Sequence, residues 1–160
     1  MRVIENVIMT AASAASGANQ QPWRFVVVRD PIVKRKIVIA AGKKVVHKRR
    51  APYGSIAEVA SLRTNLRKAY LEGALYQIIV FKKIFGVKKD VQTKHYNVSE
   101  SVGISGGILL AAIHQTGLVV LTHTPSPMAF LARTLNRAPN EKAYPLIPVG
   151  CAEEDVECLY

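Results

Sequence analysis

Two short segments of the sequence combine residue types that favour ligand binding. SAASG, residues 13–17, joins a predicted helix to a predicted strand through small side chains only. Small residues let backbone N–H groups approach a flat or anionic ligand closely. THTPSP, residues 122–127, follows a predicted strand with hydroxyl and imidazole side chains, and its two prolines fix the backbone. Loops after strand ends commonly hold ligands in α/β sheets, although a plain turn remains the alternative at both segments.

Other patterns in the sequence do not identify a cofactor or a metal. The glycines of VGISGG, residues 102–107, lie within a helical pattern and lack the spacing of a dinucleotide-binding loop, so helix packing is the favoured interpretation. The histidines are scattered, and neither Cys151 nor Cys158 has the companion ligands of a zinc site. We therefore predict no metal site, and reduced thiols in a cytoplasmic protein.

The composition indicates a globular protein with a marked positive charge. The 160 residues are enough for one domain with a real core, and 49% of them are hydrophobic. Lys and Arg number 22 against 11 acidic residues, which gives a net charge of +11 and favours anionic partners. Because aromatic residues do not interleave the basic stretch over residues 29–50, we expect a solvated or anion-binding face and no nucleic-acid partner. We also predict no membrane segment, since no apolar run approaches the ~20 residues that span a bilayer.

The apolar periodicity predicts the elements that position these segments. Helical spacing predicts helices, and short apolar runs predict strands. Asp30 and Pro31 are typical of an N-cap and a first helical residue. Predicted helices cover residues 1–12, 31–46, 62–71, 96–115 and 127–135, predicted strands cover 24–29, 74–81, 117–122 and 143–150, a loop covers 47–61, and a basic connection covers 82–94. The prolines of the last strand favour a sheet edge. The order predicts an α/β or α+β domain whose sheet is covered by helices.

Three separated segments resemble the nitroreductase-like flavoproteins, most closely the iodotyrosine deiodinase branch. They are IENVIMTAASAASGANQQPWRFVVVRDP, LRTNLRKAYL, and HYNVSESVGISGGILLAAIHQTGLVVLTHTPSP with the later LNRAPNEKAYPLIPVG. The resemblance implies an α+β nitroreductase-like fold, with a central, mostly antiparallel sheet flanked by helices. It implies one FMN domain over residues 1–150, followed by a tail over 151–160. It further implies an intertwined homodimer with FMN at the subunit interface.

The resemblance also implies which residues bind the flavin. Ser16 and Gly17 correspond to the family's flavin-binding loop. Thr122, His123 and Thr124 correspond to the family's strand-end Thr-Thr-Thr, so His123 stands where relatives have threonine. Thr124 is expected to act in catalysis as well, because a hydroxyl near the flavin N5 adjusts the relative stability of the oxidised and reduced states.

For the substrate, the resemblance implies contacts from Ala18, through its backbone, and from Lys68, which would bind a carboxylate. A plain surface lysine is the alternative at Lys68. The expected function is FMN-dependent reduction of a small aromatic substrate, by deiodinase-like reductive dehalogenation, with NAD(P)H or another reductase as the electron source. The alternatives are a nitro or quinone reductase and a truncated non-catalytic member. Truncation at both ends is expected because the family's Arg-Arg-Ser segment and its arginine-containing extension, which hold the flavin phosphate, have no match here.

Overall fold

The computed structural model describes residues 1–47, 69–88, 91–125 and 127–152. The helices are α1 (Arg2–Ala12), α2 (Pro31–His47), α3 (Ala69–Gly73), α4 (Val98–Gln115) and α5 (Ala129–Thr134). The strands are β1 (Trp23–Val28), β2 (Tyr76–Lys83), β3 (Phe85–Lys88), β4 (Val91–Lys94), β5 (Val119–Val120) and β6 (Glu141–Gly150). One turn of 3₁₀ helix (Gly17–Asn19) precedes β1.

Four strands form one antiparallel sheet in the order β1-β2-β6-β5. In β2, Ile78 pairs with Val27 of β1 on one side and with Ile147 of β6 on the other. β5 is short, and an isolated bridge from His123 to Leu146 extends its edge of the sheet. β3 and β4 form a separate hairpin.

Helices cover both faces of the sheet, and strand β2 shows why. Ile78 and Val80 belong to an apolar cluster with α1 and α4, whereas Ile79 and Phe81 belong to a second cluster with α2, α3 and α5. All four side chains are fully buried. Because successive side chains of a strand face opposite ways, a strand buried on both faces needs an uninterrupted apolar run. The predicted α+β fold, an antiparallel sheet flanked by helices, is confirmed.

The predicted start of α2 is also confirmed. The Asp30 Oδ1 atom accepts hydrogen bonds from the backbone N–H groups of Ile32 (2.7 Å) and Val33 (3.0 Å). These are donors that a helix leaves without an intrahelical partner, and Pro31 has no N–H to satisfy. The Asp-Pro pair therefore fixes the point at which the chain leaves β1 and enters the helix.

Strand β6 lies between β2 and β5, so the edge position predicted from its prolines is wrong. Pro145 falls where the β2–β6 register shifts between Ile79 and Phe81, at a bulge that needs no regular donor. Pro148 uses its carbonyl oxygen on the β5 side, where it accepts a hydrogen bond from the Leu121 N–H at 3.4 Å. An interior strand therefore tolerates both prolines, because the hydrogen-bond pattern is interrupted on one side of each. At Pro145 the interruption lies on the β2 side, and at Pro148 it lies on the β5 side.

The predicted basic connection over residues 82–94 is instead the end of β2 followed by the β3–β4 hairpin. The Ile84 N–H donates to the Asn140 carbonyl (3.0 Å), and the Asn140 side-chain amide donates to the Phe85 carbonyl (2.7 Å). The hairpin is therefore tied to the turn before β6. The loop was predicted over residues 47–61, but His47 is the last residue of α2. The rest of that loop and the predicted helix over 62–71 up to residue 68 lie outside the described residues. Within the described ranges, no helix combines the length and the apolar character that a bilayer crossing requires.

Asp30→Ala should lower the free energy of unfolding by about 1 kcal/mol, because two backbone donors at the start of α2 lose their partner. Urea denaturation monitored by circular dichroism measures this change. Asp30→Asn is the matched control, since an amide oxygen still caps a helix. An equal loss for the two variants would contradict the capping role.

Candidate functional site

The candidate flavin loop, residues 13–22, has an unusual backbone. Ala18, Asn19 and Gln21 all adopt left-handed conformations, with φ values of 50°, 52° and 46°. Such values are uncommon for residues other than glycine, and they persist only where surrounding contacts hold them. One such contact is internal, because the Ser16 Oγ atom accepts a hydrogen bond from the Gln21 N–H at 2.9 Å. The loop is therefore a defined structure in which Ala18 is exposed at the tip.

The start of helix α4 holds this loop in place. The Gly17 N–H donates to the buried Ser101 Oγ atom at 3.1 Å, and the Gln20 Oε1 atom accepts from the Tyr96 N–H at 2.7 Å. A Cβ atom at position 17 would lie 3.0 Å from the Tyr96 carbonyl oxygen, which is closer than side chains normally come. Glycine is needed at this position for close approach of two backbones.

The second candidate segment, residues 122–124, follows the end of β5. His123 makes two backbone hydrogen bonds with Leu146, of 2.8 and 2.9 Å, and these fix the strand end. Thr122 and Thr124 on either side of His123 are exposed, whereas the following Pro125 is buried. Two hydroxyl groups are therefore presented to solvent from a backbone that the sheet and a buried proline hold.

The His123 ring contacts Tyr70 of α3. The two rings meet edge to face with centroids 6.2 Å apart, and the Tyr70 hydroxyl lies 3.5 Å from the His123 Nδ1 atom. Burial raises the pKa of the Tyr70 hydroxyl, because a phenolate would lose solvation there. Tyr70 therefore keeps its proton at physiological pH, and the His123 tautomer determines which of the two groups donates the hydrogen bond.

Sheet topology places the two candidate segments on opposite edges of the sheet, with His123 opposite Leu146 in the middle of β6. The loop enters β1 at Trp23, which pairs with Lys82, and Lys82 pairs with Lys142 near the start of β6. From Val119 to His123 the chain runs antiparallel to β6, towards that same end. Three strand spacings of ~4.8 Å separate the edges by roughly 14 Å. One chain therefore does not bring both segments to one side of a flat ligand.

The cavities of the described chain agree with this separation. One, of about 680 Å³, lies between α5 and the start of β6, and another, of about 710 Å³, lies between α3, β5 and the end of β6. Neither is lined by Ser16, Gly17 or Ala18, and neither by the strand-end residues 122–124. The candidate residues thus lie outside both of these cavities. Among the described residues, no group of three His, Cys, Asp or Glu side chains could hold a metal ion.

The residues predicted from sequence therefore fall into two groups. Ser16, Gly17 and Ala18 share one loop, residues 122–124 share one strand end, and Lys68 lies outside the described residues. Sequence reasoning missed the residues that hold the loop, Ser101 and Tyr96. Ser101 follows Ser99 and Glu100 in the polar first turn of α4, so the sequence offered no local signal for its role.

Comparisons with known proteins match the chain over nearly its whole length. The family model described as "Nitroreductase family" matches residues 2–151. An iodotyrosine deiodinase of Haliscomenobacter hydrossis is 49% identical over 157 residues, covering 96% of this chain and 71% of that protein. Human iodotyrosine deiodinase 1 is 42% identical and covers 94% of this chain, but the chain spans only 53% of that protein.

Solved structures give the same result. Iodotyrosine deiodinase bound to FMN and 3-iodo-L-tyrosine superposes with a TM-score of 0.84 and 26% identity, covering 99% of this chain and 82% of that one. A BluB-like flavoprotein from Clostridium difficile has a TM-score of 0.69 at 17% identity, covering 99% of this chain and 84% of that one, and so shares the fold.

Gly17→Ala should lower the free energy of unfolding by about 1–3 kcal/mol, the usual cost of forcing an extra methyl group into a tight contact. The added methyl group would press on the Tyr96 carbonyl oxygen. Chemical denaturation measures the change. The matched control is Gly73→Ala, whose added methyl group would meet nothing within 4 Å. If both variants unfold at the same denaturant concentration, the loop does not pack on α4 as described.

Proposed function

Because the chain belongs to the nitroreductase family, we propose that it is an FMN-dependent oxidoreductase that reduces a small aromatic substrate by deiodinase-like reductive dehalogenation. The observation that carries the proposal is the superposition, at a TM-score of 0.84, on iodotyrosine deiodinase bound to FMN and 3-iodo-L-tyrosine. Electrons come from NAD(P)H or from another reductase, and the protein acts in the cytoplasm. The chain spans 53–61% of most of the iodotyrosine deiodinases it resembles, for example 61% of that of Nematostella vectensis.

The residues present fit a flavin ring. A flat ring needs a surface without large side chains on one side and polar groups around its rim. Residues 13–17 supply the flat surface through small side chains held on α4. The exposed Thr122 and Thr124 supply hydroxyl groups for the rim of the ring. FMN supplies one- and two-electron transfer when bound, which side chains alone do not provide.

In this proposal each group has one task. The backbone of Ser16 and Gly17 orients the ring, and the Thr124 hydroxyl donates a hydrogen bond at the flavin N5 position. Ala18, exposed at the loop tip, meets the substrate through its backbone. Lys68 pairs with the substrate carboxylate as a charge-assisted hydrogen bond, which is stronger than a neutral one. His123 holds the strand end through Leu146, and its ring rests on Tyr70.

We further propose that the active unit is a homodimer in which each flavin lies between two chains. The opposite-edge positions of the two segments support it, because a second copy related by two-fold symmetry can bring its strand end to the loop of the first. Exposed apolar side chains on the α1–α4 face give further support: Met9 is 70% and Ile104 51% exposed. Gly103 and Gly107 are exposed beside Ile104, and they allow another helix to approach α4 closely.

Loaded with FMN and reduced chemically, the protein should release iodide from 3-iodo-L-tyrosine. Thr124→Ala should slow release about tenfold, because the loss of one hydrogen bond of about 1.4 kcal/mol corresponds to that factor. Thr124→Ser keeps the hydroxyl and should retain most of the rate. Iodide release is followed with an ion-selective electrode, and flavin occupancy by absorbance.

Two results would count against the proposal. FMN fluorescence that does not change on addition of the protein would exclude flavin binding by this chain and favour the non-catalytic alternative. Flavin-dependent reduction of a nitroaromatic compound or a quinone, without iodide release, would replace dehalogenation by the nitro or quinone reductase alternative.

A mixed dimer should show whether each flavin site is built from two chains or from one chain. Ala18→Asp alters the loop and Thr124→Glu alters the strand end, and both positions are exposed. In a dimer of one copy of each variant, a shared architecture leaves one site with both segments intact, so the mixed dimer should bind one FMN. Copies with different affinity tags allow its isolation, and absorbance gives the flavin stoichiometry. If each chain forms its own site, the mixed dimer will bind FMN no better than either variant alone.

A further inference from the structure

Helix α2 exposes an apolar stripe with a cation on each side. Ile32 and Ile39 are 65% and 49% exposed, and they lie seven residues apart, about two helical turns, so both face the same way. Arg35 and Lys36 come between them in the sequence, are exposed, and lie on opposite sides of the stripe. We call these four residues the outer face of α2. We propose that this outer face binds the surface of a membrane that contains anionic lipids.

The opposite side of α2 fixes the orientation of the helix. Ile37 and Ala41 are fully buried in the apolar cluster that α2 shares with α3, α5 and one face of the sheet. They lie on the side of the helix that faces away from Ile32. Because this packing holds the helix in one rotation, α2 cannot turn its two exposed isoleucines inwards. They stay in water unless another surface covers them.

The cations of this surface are available for an anionic partner. Arg29, Arg35 and Lys36 are exposed, and among the described residues none of them forms an ion pair. Lys34 differs, because its Nζ atom donates to two backbone carbonyl oxygens at the end of α3, at 3.3 and 2.8 Å. The nearest carboxylate in the sequence, that of Asp30, accepts the N–H groups at the start of α2. Three cations therefore surround the stripe without an acidic partner.

The combination of apolar and basic side chains specifies a lipid surface. Apolar side chains of an interfacial helix enter the boundary between headgroups and acyl chains, while the stems of Arg and Lys extend to the anionic headgroups. A nucleic acid would satisfy the cations but leave the isoleucines in water. The outer side of a helix is convex, and no residue of α2 lines either of the two cavities. A fluid lipid surface adapts to such a shape, whereas a protein partner would need a groove of its own.

The position of α2 leaves the other proposed surfaces free. α2 covers the sheet face opposite α1 and α4, the helices that we propose for the homodimer. The same molecule can therefore contact lipid on one side and a second copy on the other. Binding of this kind lies at the membrane surface and needs no spanning helix. It uses none of the residues that we assign to flavin or substrate, so it does not rest on the proposed function.

The full chain should sediment with vesicles made of phosphatidylserine and phosphatidylcholine in equal parts, and should stay in solution with phosphatidylcholine alone. A rise in salt from about 0.1 M to about 1 M should weaken the binding, because the screening length falls from about 10 Å to about 3 Å. Equal binding to the two kinds of vesicle would overturn the proposal, as would binding to neither.

The double variant Arg35→Ala with Lys36→Ala tests the cations of the outer face. It should weaken vesicle binding about 25-fold, since each cation near an anionic surface contributes about fivefold. The matched control is Arg133→Ala with Lys142→Ala, which removes the same charge from exposed positions outside α2. The control should bind like the unchanged protein. Equal loss in the two double variants would show an effect of net charge alone and overturn the assignment to α2.

The double variant Ile32→Ser with Ile39→Ser tests the apolar stripe. It should weaken vesicle binding about tenfold or more, since full burial of one isoleucine contributes at least that factor. Its binding to polyglutamate, which carries negative charge but has no hydrocarbon layer, should not change. Val91→Ser is the control, because Val91 is also 65% exposed but lies on β4. Thermal denaturation verifies that each variant is folded.

Two results of the isoleucine experiment would overturn the proposal. Full retention of vesicle binding would show that the face acts through charge alone. Tighter binding of polyglutamate than of vesicles would identify an acidic protein as the partner. Because the vesicle assays contain no flavin or substrate, their outcome is distinct from the success or failure of iodide release.

Discussion

The burial of strand β2 on both faces sets the arrangement of the sheet and of the helices that cover it. Ile78 and Val80 pack under α1 and α4, while Ile79 and Phe81 pack under the helices of the opposite face. Full burial of one such side chain contributes about 1.5–3 kcal/mol, so this apolar run anchors the strand between the two layers of helices. Gln77 fixes the strand further, because its side-chain amide donates to the Leu71 carbonyl at 2.7 Å. The register of β1 and β6 follows from that of β2.

This register also constrains the candidate site. With β2 and β6 in the middle of the sheet, the loop before β1 and the end of β5 lie on opposite edges. Each segment is held by its own local contacts, Gly17 by Ser101 of α4 and His123 by Leu146 of β6. The fold therefore holds the two candidate segments on separate supports. Such supports suit the flat cofactor that we propose, since less ordering is needed when a ligand binds.

The parts of the fold that follow from neighbouring residues were predictable from the sequence. The Asp30-Pro31 start of α2 and the apolar run of β2 are local signals, and they were interpreted correctly. The small-residue loop does join a helix to a strand, while its flavin-binding role stays a prediction. The position of β6 was not, because Pro145 indicates an edge unless one knows that a bulge receives it. The support of the loop was missed for a similar reason. Gly17 and Ser101 are 84 residues apart, and only the packing of α4 brings them together.

For charge too, the sequence gives the total, whereas only the packing of distant residues gives the position of the charged groups. A net charge of +11 indicates anionic partners without saying where they bind. The structure shows where one acidic side chain balances part of that charge, because Glu141 pairs with both Arg24 and Arg137 at one end of the sheet. A buried carboxylate between two arginines is costly to desolvate, and its net contribution to stability is small. Its larger effect is geometric, since it converts a flexible surface arginine into a fixed donor at the edge of a cavity. In this protein, a positive charge has a defined position where a buried carboxylate restricts the orientation of the arginine side chain that carries it.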